Sequence, residues 1–378
     1  MEYRKLRVII SGGGTGGHIF PAVSIANKLK ELNPETEILF VGAEGRMEME
    51  KVPAAGYEII GLPVAGLQRK LTAANLVLPF KVMKSIGMAR RILKDFRPDI
   101  AIGVGGYASA PLLWSAQRLG IPTLIQEQNG YAGLTNKIVG RKAGSICVAY
   151  EGMERFFPAE RIVLTGNPIR KEIRTADENM KKEALEFYGL DPQKKHIFIV
   201  GGSLGSGTLN KAVRSWIEKG CPGGEKLEII WQCGRFYKED TDMFMKEAHV
   251  RGIARDVLEN IRYSDFIQRM DLAYAAADVV ISRSGASSIS ELCAAGKASI
   301  FVPSPNVAED HQTHNAMALV NRQAALIVKD ADAEKSLMDT ALELLQDQDR
   351  IRELEKNISA LALKDAAMSI AEEVYRLV

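Results

Sequence analysis

The stretch Ser11-Gly12-Gly13-Gly14-Thr15-Gly16-Gly17-His18 decides the fold of this chain. Residues 6–10 before it form a short apolar, β-branched run, which predicts a buried strand. Residues 21–30 after it carry apolar side chains at helical spacing, and Pro21 suits a first helical turn. A glycine loop between a strand and a helix turns backbone N–H groups and the helix N-terminus towards an anion. We therefore expect a phosphate-binding loop here, and a tight turn without a ligand is the alternative.

The same loop also matches the pattern of NAD-binding proteins. Gly12, Gly14 and Gly17 satisfy G-x-G-x-x-G. That interpretation requires an acidic residue at the end of the second strand, where only Glu44 is available, slightly late. An NAD-dependent oxidoreductase therefore remains an alternative that the loop alone does not exclude.

The composition is that of an ordinary soluble globular protein, with 46% hydrophobic and 25% charged residues among 378. A net charge of +2 gives no reason to expect a nucleic-acid partner. No apolar run reaches the roughly 18 residues of a membrane span, and the N-terminus lacks a signal-peptide pattern. The four cysteines show no C-x-x-C spacing, so we expect free thiols and a cytoplasmic setting.

Short apolar runs alternate with helical patterns along most of the chain, which indicates parallel sheets covered by helices on both faces. Thr165-Gly166-Asn167-Pro168 predicts a domain boundary. Beyond it, residues 196–207 repeat the arrangement of a strand followed by a glycine loop. We expect an α/β fold of two doubly wound parallel-sheet domains, 1–168 and 169–359, that face a cleft. The predicted strands are 6–10, 38–42, 57–60, 99–104, 122–126, 145–149, 161–164, 196–200, 227–231, 279–282, 298–302 and 325–328.

Two further segments of the first half follow predicted strands. Gly105-Gly106-Tyr107 is a third glycine-rich turn, which either only packs closely or forms a second wall of a binding site. Gln126-Glu127-Gln128-Asn129 brings amides and a carboxylate that suit a hydroxyl-rich ligand, with a solvated loop as an equal alternative.

Two polar segments of the second half are also candidates. The hydroxyls of residues 282–290 could cap a helix or bind phosphate, and Glu291 could bond a ribose diol. Spacing alone favours a helix carboxylate without a ligand at Glu291. Residues 309–315 contain His311 and His314 beside two acids, but no third ligand stands at a useful spacing. We therefore expect hydrogen bonding to a polar ligand there, and no metal.

Residues 68–84 combine apolar with basic side chains, among them Arg69 and Lys84. Such a stretch either rests on an anionic membrane surface or packs on its own domain. On sequence alone the second interpretation leads slightly.

Taken in order, the motifs resemble those of the MurG family, the cytoplasmic glycosyltransferases of peptidoglycan synthesis. The resemblance covers nearly the whole chain, and the order of the motifs makes it specific. The matching motifs are Gly13-Gly14-Thr15-Gly16-Gly17-His18-Ile19-Phe20-Pro21, Gly105-Gly106-Tyr107, Glu127-Gln128-Asn129-Gly130, Ala132-Gly133-Leu134-Thr135-Asn136-Lys137, Gly166-Asn167-Pro168-Ile169-Arg170, Gly201-Gly202-Ser203, Ser282-Arg283-Ser284-Gly285-Ala286, Asp310-His311-Gln312 and Asn315-Ala316.

The resemblance implies a GT-B fold whose last helix, about residues 360–378, returns to the N-terminal domain. It implies inverting transfer of N-acetylglucosamine from UDP-N-acetylglucosamine to the 4-hydroxyl of the muramic acid of lipid I, which forms lipid II. The C-terminal domain would bind the donor, and the N-terminal domain would bind the acceptor at the cytoplasmic face of the plasma membrane. It also favours the membrane interpretation of residues 69–84. No cofactor or metal is implied.

The resemblance also assigns roles to individual residues. His18 and Asn129 would be catalytic. The implied donor contacts are Thr15, Gly16, Gly17, Asn129, Arg170, Ser203, Glu291 and Gln312. The implied cradle for the acceptor pyrophosphate is Gly13, Gly14, Gly105, Gly106 and Tyr107. Leu204 departs from the usual glutamine, which leaves backbone contacts but no polar side chain at that position.

His18 is the candidate general base, or else it orients the acceptor, because imidazole titrates in the required range. A histidine that only shapes the loop is the alternative. Two other classes remain open besides the oxidoreductase. A sugar-nucleotide epimerase would consume the donor without an acceptor, and a non-catalytic module would only bind a nucleotide.

Overall fold

The computed structural model describes residues 3–64, 74–202, 204–250, 252–253, 255–307, 310–363 and 365–378, with the backbone alone for 74–80 and 255–256. The chain divides into two compact units, Met1–Ile169 with Leu363–Val378, and Arg170–Ala362.

The first unit alternates strands with helices. Its elements are β1 (Arg7–Gly12), α1 (Gly16–Leu32), β2 (Glu37–Ala43), α2 (Glu48–Ala54), β3 (Glu58–Leu62), α3 (Ala74–Phe96), β4 (Ile100–Gly105), α4 (Ser109–Arg118), β5 (Thr123–Glu127), α5 (Leu134–Gly140), β6 (Ser145–Val148), β7 (Ile162–Leu164) and the last helix, α15 (Ala366–Leu377). Short 3₁₀ turns span Met153–Arg155 and Ala159–Arg161.

The second unit repeats the alternation. Its elements are α6 (Glu178–Tyr188), β8 (Lys195–Val200), α7 (Gly207–Glu218), β9 (Leu227–Gln232), α8 (Lys238–Val250), α9 (Arg255–Glu259), β10 (Ile261–Ser264), α10 (Met270–Ala276), β11 (Val279–Ser282), α11 (Ala286–Ala295), β12 (Ser299–Phe301), α12 (His311–Val320), β13 (Leu326–Ile327), α13 (Ala333–Gln346) and α14 (Gln348–Ser359). Short 3₁₀ turns span Arg235–Tyr237 and Asp330–Asp332.

Both sheets are parallel and doubly wound, which confirms the predicted fold class. Their strand orders are β3-β2-β1-β4-β5-β6-β7 and β10-β9-β8-β11-β12-β13. The order reverses between β1 and β4 in the first sheet and between β8 and β11 in the second. Open parallel sheets bind ligands beyond the carboxyl ends of the strands at such a switch point. The loops after β1, β4, β8 and β11 are therefore the expected ligand-binding loops.

The central strands are buried on both faces. Val8, Ile9 and Ile10 have no exposed surface, although successive side chains of a strand point to opposite faces. On one face, Val8 and Ile10 belong to a core that includes Ile370 and Val374 of α15. The last helix of the chain thus completes the first unit.

One strand was absent from the sequence-based assignment. β10 reads Ile-Arg-Tyr-Ser, and only Ile261 of its four residues is buried. It pairs with β9 alone and lies at the edge of the sheet. An edge strand needs no apolar run, so its composition carried no strand signal.

The predicted basic and apolar stretch is described only in part, because Arg69 lies outside the described residues. On α3, Val82 and Met83 are 44% and 71% exposed, and the neighbouring Lys81 and Lys84 are exposed as well. No described helix is both long and apolar enough to cross a membrane.

Candidate active site

His18 lies on the first turn of α1, against two glycine segments. Its Nδ1 is 3.0 Å from the Gly13 carbonyl oxygen and 3.4 Å from Thr15 Oγ1. A Cβ atom added at Gly105 would lie 2.9 Å from His18 Nε2, so a glycine is required there. Because a carbonyl oxygen can only accept, the contact with Gly13 requires the imidazole hydrogen on Nδ1. The lone pair is then on Nε2, the nitrogen able to take up a proton.

The first glycine loop is closely packed and internally hydrogen-bonded. The Gly13 N–H donates to the Gly105 carbonyl at 3.3 Å, and the Gly14 N–H donates to Glu48 Oε2 at 2.9 Å. A Cβ atom at Gly106 would lie 2.6 Å from the Gly13 carbonyl oxygen. The N–H groups of Gly13 and Gly14 thus already have acceptors in the unit, and their role as a pyrophosphate cradle stays a prediction.

Glu48 is the residue of this region that the sequence analysis missed. It is only 1% exposed, whereas Met47-Glu48-Met49-Glu50 resembles any solvated helical turn. No pattern around it distinguishes it from Glu50, which is exposed.

The Asn129 segment is held by a buried carboxylate at the end of β5. Glu127 Oε1 accepts from the Asn129 backbone N–H at 3.1 Å and from its Nδ2 at 3.3 Å. Glu127 Oε2 accepts from the Gly133 N–H and from Asn136 Nδ2 at 3.0 and 2.9 Å. Asn129 is a predicted site residue, and these bonds show that Glu127 orients it. Tyr107 is 51% exposed on the loop after β4.

In the second unit, Arg170 and Glu291 form a bidentate ion pair. Arg170 Nε and Nη2 donate to the two carboxylate oxygens at 2.8 and 2.9 Å, and the Tyr274 hydroxyl donates to Glu291 Oε2 at 3.2 Å. Partial burial opposes the charge of Arg170, but the hydrogen bonds and negative charge of Glu291 raise its pKa above the ordinary value. The structure therefore brings together two predicted donor-binding residues, whose contacts with a donor stay predictions.

Gln312 connects two loops of the second unit. Its side-chain carbonyl accepts from the Ser304 N–H at 2.9 Å, and its backbone carbonyl accepts from Ser284 Oγ at 2.9 Å. The side-chain amide nitrogen, which can only donate, is the group suited to a sugar hydroxyl. Ser203, another predicted donor contact, lies outside the described residues, and its neighbour Leu204 is 55% exposed. Within the described ranges, no group of three His, Cys, Asp or Glu residues is placed to hold a metal ion.

Comparison with protein families identifies both units. Residues 8–148 match the model of the glycosyltransferase family 28 N-terminal domain, and residues 196–370 match that of the family 28 C-terminal domain.

Two bacterial relatives carry the name UDP-N-acetylglucosamine--N-acetylmuramyl-(pentapeptide) pyrophosphoryl-undecaprenol N-acetylglucosamine transferase. The protein of Parabacteroides distasonis is 54% identical, over 99% of both chains. That of Phocaeicola vulgatus is 55% identical, over 99% of this chain and 96% of the relative. The crystal structure of Acinetobacter baumannii MurG superposes with a TM-score of 0.75 at 28% identity, over 98% of this chain and 99% of that one. The chain therefore belongs to the MurG family of N-acetylglucosamine transferases, within glycosyltransferase family 28.

Proposed function

We propose that this protein transfers N-acetylglucosamine from UDP-N-acetylglucosamine to the 4-hydroxyl of the muramic acid of lipid I, with inversion. One observation supports the mechanism: His18 Nδ1 lies 3.0 Å from the Gly13 carbonyl oxygen. A hydrogen bond at this position requires the hydrogen on Nδ1, which leaves Nε2 able to accept a proton.

The reaction is a single displacement at the anomeric carbon. The acceptor oxygen forms a bond to that carbon, the bond from the carbon to the phosphate oxygen of UDP breaks, and His18 Nε2 takes the hydroxyl proton. UDP leaves with additional negative charge on its pyrophosphate. Arg170, with its planar, permanently charged guanidinium, is the group of the second unit suited to stabilise that charge. Asn129 and Gln312 supply amides for sugar hydroxyls.

Donor binding then involves the Arg170–Glu291 pair directly. Both oxygens of Glu291 accept hydrogen bonds from the protein. A carboxylate oxygen has two lone pairs, so a ribose diol can add to these bonds or displace those of Arg170. If the diol displaces them, Arg170 becomes available to the pyrophosphate, which couples ribose recognition to stabilisation of the leaving group.

Residues 81–84 of α3 form the surface that we propose contacts the membrane. Val82 and Met83 are exposed, and Lys81 and Lys84 flank them. Exposed apolar side chains beside lysines suit shallow contact with an anionic bilayer, where an undecaprenyl-linked acceptor would reside. We place the protein at the cytoplasmic face of the plasma membrane on this basis, as a peripheral enzyme.

The experiment is to measure UDP release from UDP-N-acetylglucosamine with and without a short-chain lipid I analogue. We expect release only when the acceptor is present. Release without an acceptor would indicate a hydrolysing epimerase, and no release in either case would contradict the proposal. His18→Gln should lose most of the activity, whereas the matched variant His249→Gln, at an exposed position of α8, should keep it.

A further inference from the structure

Glu48 joins the first glycine loop to the end of a neighbouring strand. Its Oε1 accepts from the Ala43 N–H at 3.0 Å, and its Oε2 accepts from the Gly14 N–H at 2.9 Å. A Cβ atom at Gly13 would overlap the carboxylate, and one at Gly42 would lie 2.6 Å from Glu48 Cγ. Two glycines therefore make the room that this buried side chain occupies.

The Glu48 carboxylate and the His18 ring contact the same peptide group. The N–H of Gly14 and the carbonyl of Gly13 belong to one planar unit, so the direction of one determines the direction of the other. Glu48 holds the N–H edge, and His18 Nδ1 lies 3.0 Å from the carbonyl edge. Gly14 has a φ of 85°, and glycines on both sides of the bond leave the peptide plane easy to rotate.

Rotation of this peptide plane would change the chemistry of His18. A flipped peptide would present its N–H to Nδ1, which would then have to accept and would move the imidazole hydrogen to Nε2. That tautomer cannot take a proton from a hydroxyl at Nε2. The group that accepts a hydrogen bond from the Gly14 N–H, here Glu48, therefore determines which His18 nitrogen can take up a proton.

We propose that Glu48 is a positioning residue, which acts through the Gly13–Gly14 peptide group to keep His18 in its Nδ1–H tautomer. This inference rests on the proposed function, in which His18 Nε2 receives the proton of the acceptor hydroxyl. Hydrogen bonds in a chain polarise one another, so the carboxylate also stabilises the imidazolium that forms during transfer. A carboxylate that bonds directly to a catalytic histidine serves the same purpose.

The first test is Glu48→Gln. The amide of glutamine has one oxygen, so it can replace the carboxylate as acceptor for the N–H of either Ala43 or Gly14, but not for both. Loss of a hydrogen bond to a charged group lowers kcat by roughly 10- to 100-fold if it acts fully on the transition state. We expect a loss of that order in kcat, an unchanged Michaelis constant for the donor, and an acidic limb of the kcat–pH profile displaced to lower pH. Glu50→Gln, the same charge change on the exposed side of α2, should match the wild type in all three.

The second test separates positioning from a general structural role. In a His18→Gln background, Glu48→Gln should reduce kcat no further, because residues that act as a unit are not additive. A wild-type kcat for the single Glu48→Gln variant, or an equal loss in both backgrounds, would overturn the inference. Absence of acceptor-dependent transfer by the wild type would instead refute the proposed function, so the two failures are distinguishable.

A measurement on the wild type covers the case in which Glu48→Gln does not fold. In protein labelled with ¹⁵N-histidine, the His18 signals among those of the five histidines can be assigned by comparison with His18→Gln. We expect neutral His18 to carry its hydrogen on Nδ1. A hydrogen on Nε2 would overturn the inference directly.

Discussion

Replacing Tyr274 with phenylalanine removes one buried hydroxyl beside Glu291, a predicted donor-binding residue. Tyr274 is 1% exposed, and its ring packs edge-on against Phe198 with 5.6 Å between centroids, so the ring should stay in place. Its hydroxyl donates to Glu291 Oε2. Burial, and then the negative charge of Glu291, raise the pKa of Tyr274 well above its ordinary value. The hydroxyl therefore stays protonated and can donate a hydrogen bond at any pH at which the enzyme is assayed.

The size of the effect follows from the geometry. A hydrogen bond to a charged group contributes about 1.5–3 kcal/mol. The 3.2 Å distance to Glu291 is longer than the roughly 2.5–2.7 Å of strong O–H···O⁻ bonds, which places this bond at the lower end. We expect the free energy of unfolding to fall by about 1.5 kcal/mol. Arg170 keeps its two bonds to Glu291, so the donor Michaelis constant should rise by less than about tenfold.

Urea denaturation and steady-state UDP release at varied donor concentration measure these two quantities. Tyr188→Phe is the matched control, because its hydroxyl donates to the backbone carbonyl of Arg269. That variant should leave the donor Michaelis constant unchanged. Wild-type stability together with a wild-type Michaelis constant in Tyr274→Phe would refute the argument that this hydroxyl supports Glu291.

Three further predictions concern other parts of the protein. Glu291→Ala should raise the donor Michaelis constant more than Tyr274→Phe does, and an unchanged constant in steady-state kinetics would count against a ribose contact. Gly13→Ala should lower stability by about 1–3 kcal/mol in urea denaturation, because the methyl group overlaps the Glu48 carboxylate. Burial raises the pKa of the Cys147 and Cys293 thiols to about 12, so neither should react with a thiol reagent at pH 8 until the protein unfolds. The ordinary pKa of these thiols is 9.0, so they ionise at lower pH in the unfolded chain than in the folded protein. Their contribution to the free energy of unfolding is therefore complete below pH 9 and is lost as the pH rises towards 12, which denaturation at alkaline pH would measure.

Local patterns in the sequence were sufficient to predict the fold class and most strands. The strand before each glycine loop is an apolar, β-branched run, and such a run indicates burial on both faces whatever the tertiary context. The motif order also led to the family. β10 was not predicted because it lies at the edge of its sheet, where half-exposed polar residues such as Arg262 and Ser264 are tolerated.

The hydrogen bonds and ion pairs within the candidate site could not be predicted from the sequence. Glu48 meets Gly14 across 34 positions, and Arg170 meets Glu291 across 121. Nothing in the residues around either glutamate distinguishes a buried carboxylate from a solvated one, because helical spacing predicts a face and not a partner. Analysis of the motifs identified His18 as a candidate base, but only the position of the Gly13 carbonyl showed which of its nitrogens is basic.

Inverting transfer to the 4-hydroxyl is tested by determining the anomeric configuration and the linkage of the reaction product. The protein should be incubated with UDP-N-acetylglucosamine and a short-chain lipid I analogue, and the purified product analysed by NMR. We expect a β-linked N-acetylglucosamine on the 4-hydroxyl of the muramic acid, as a single inverting displacement requires. An α-linked product, another site of attachment, or an epimerised free sugar would contradict inverting transfer to the 4-hydroxyl.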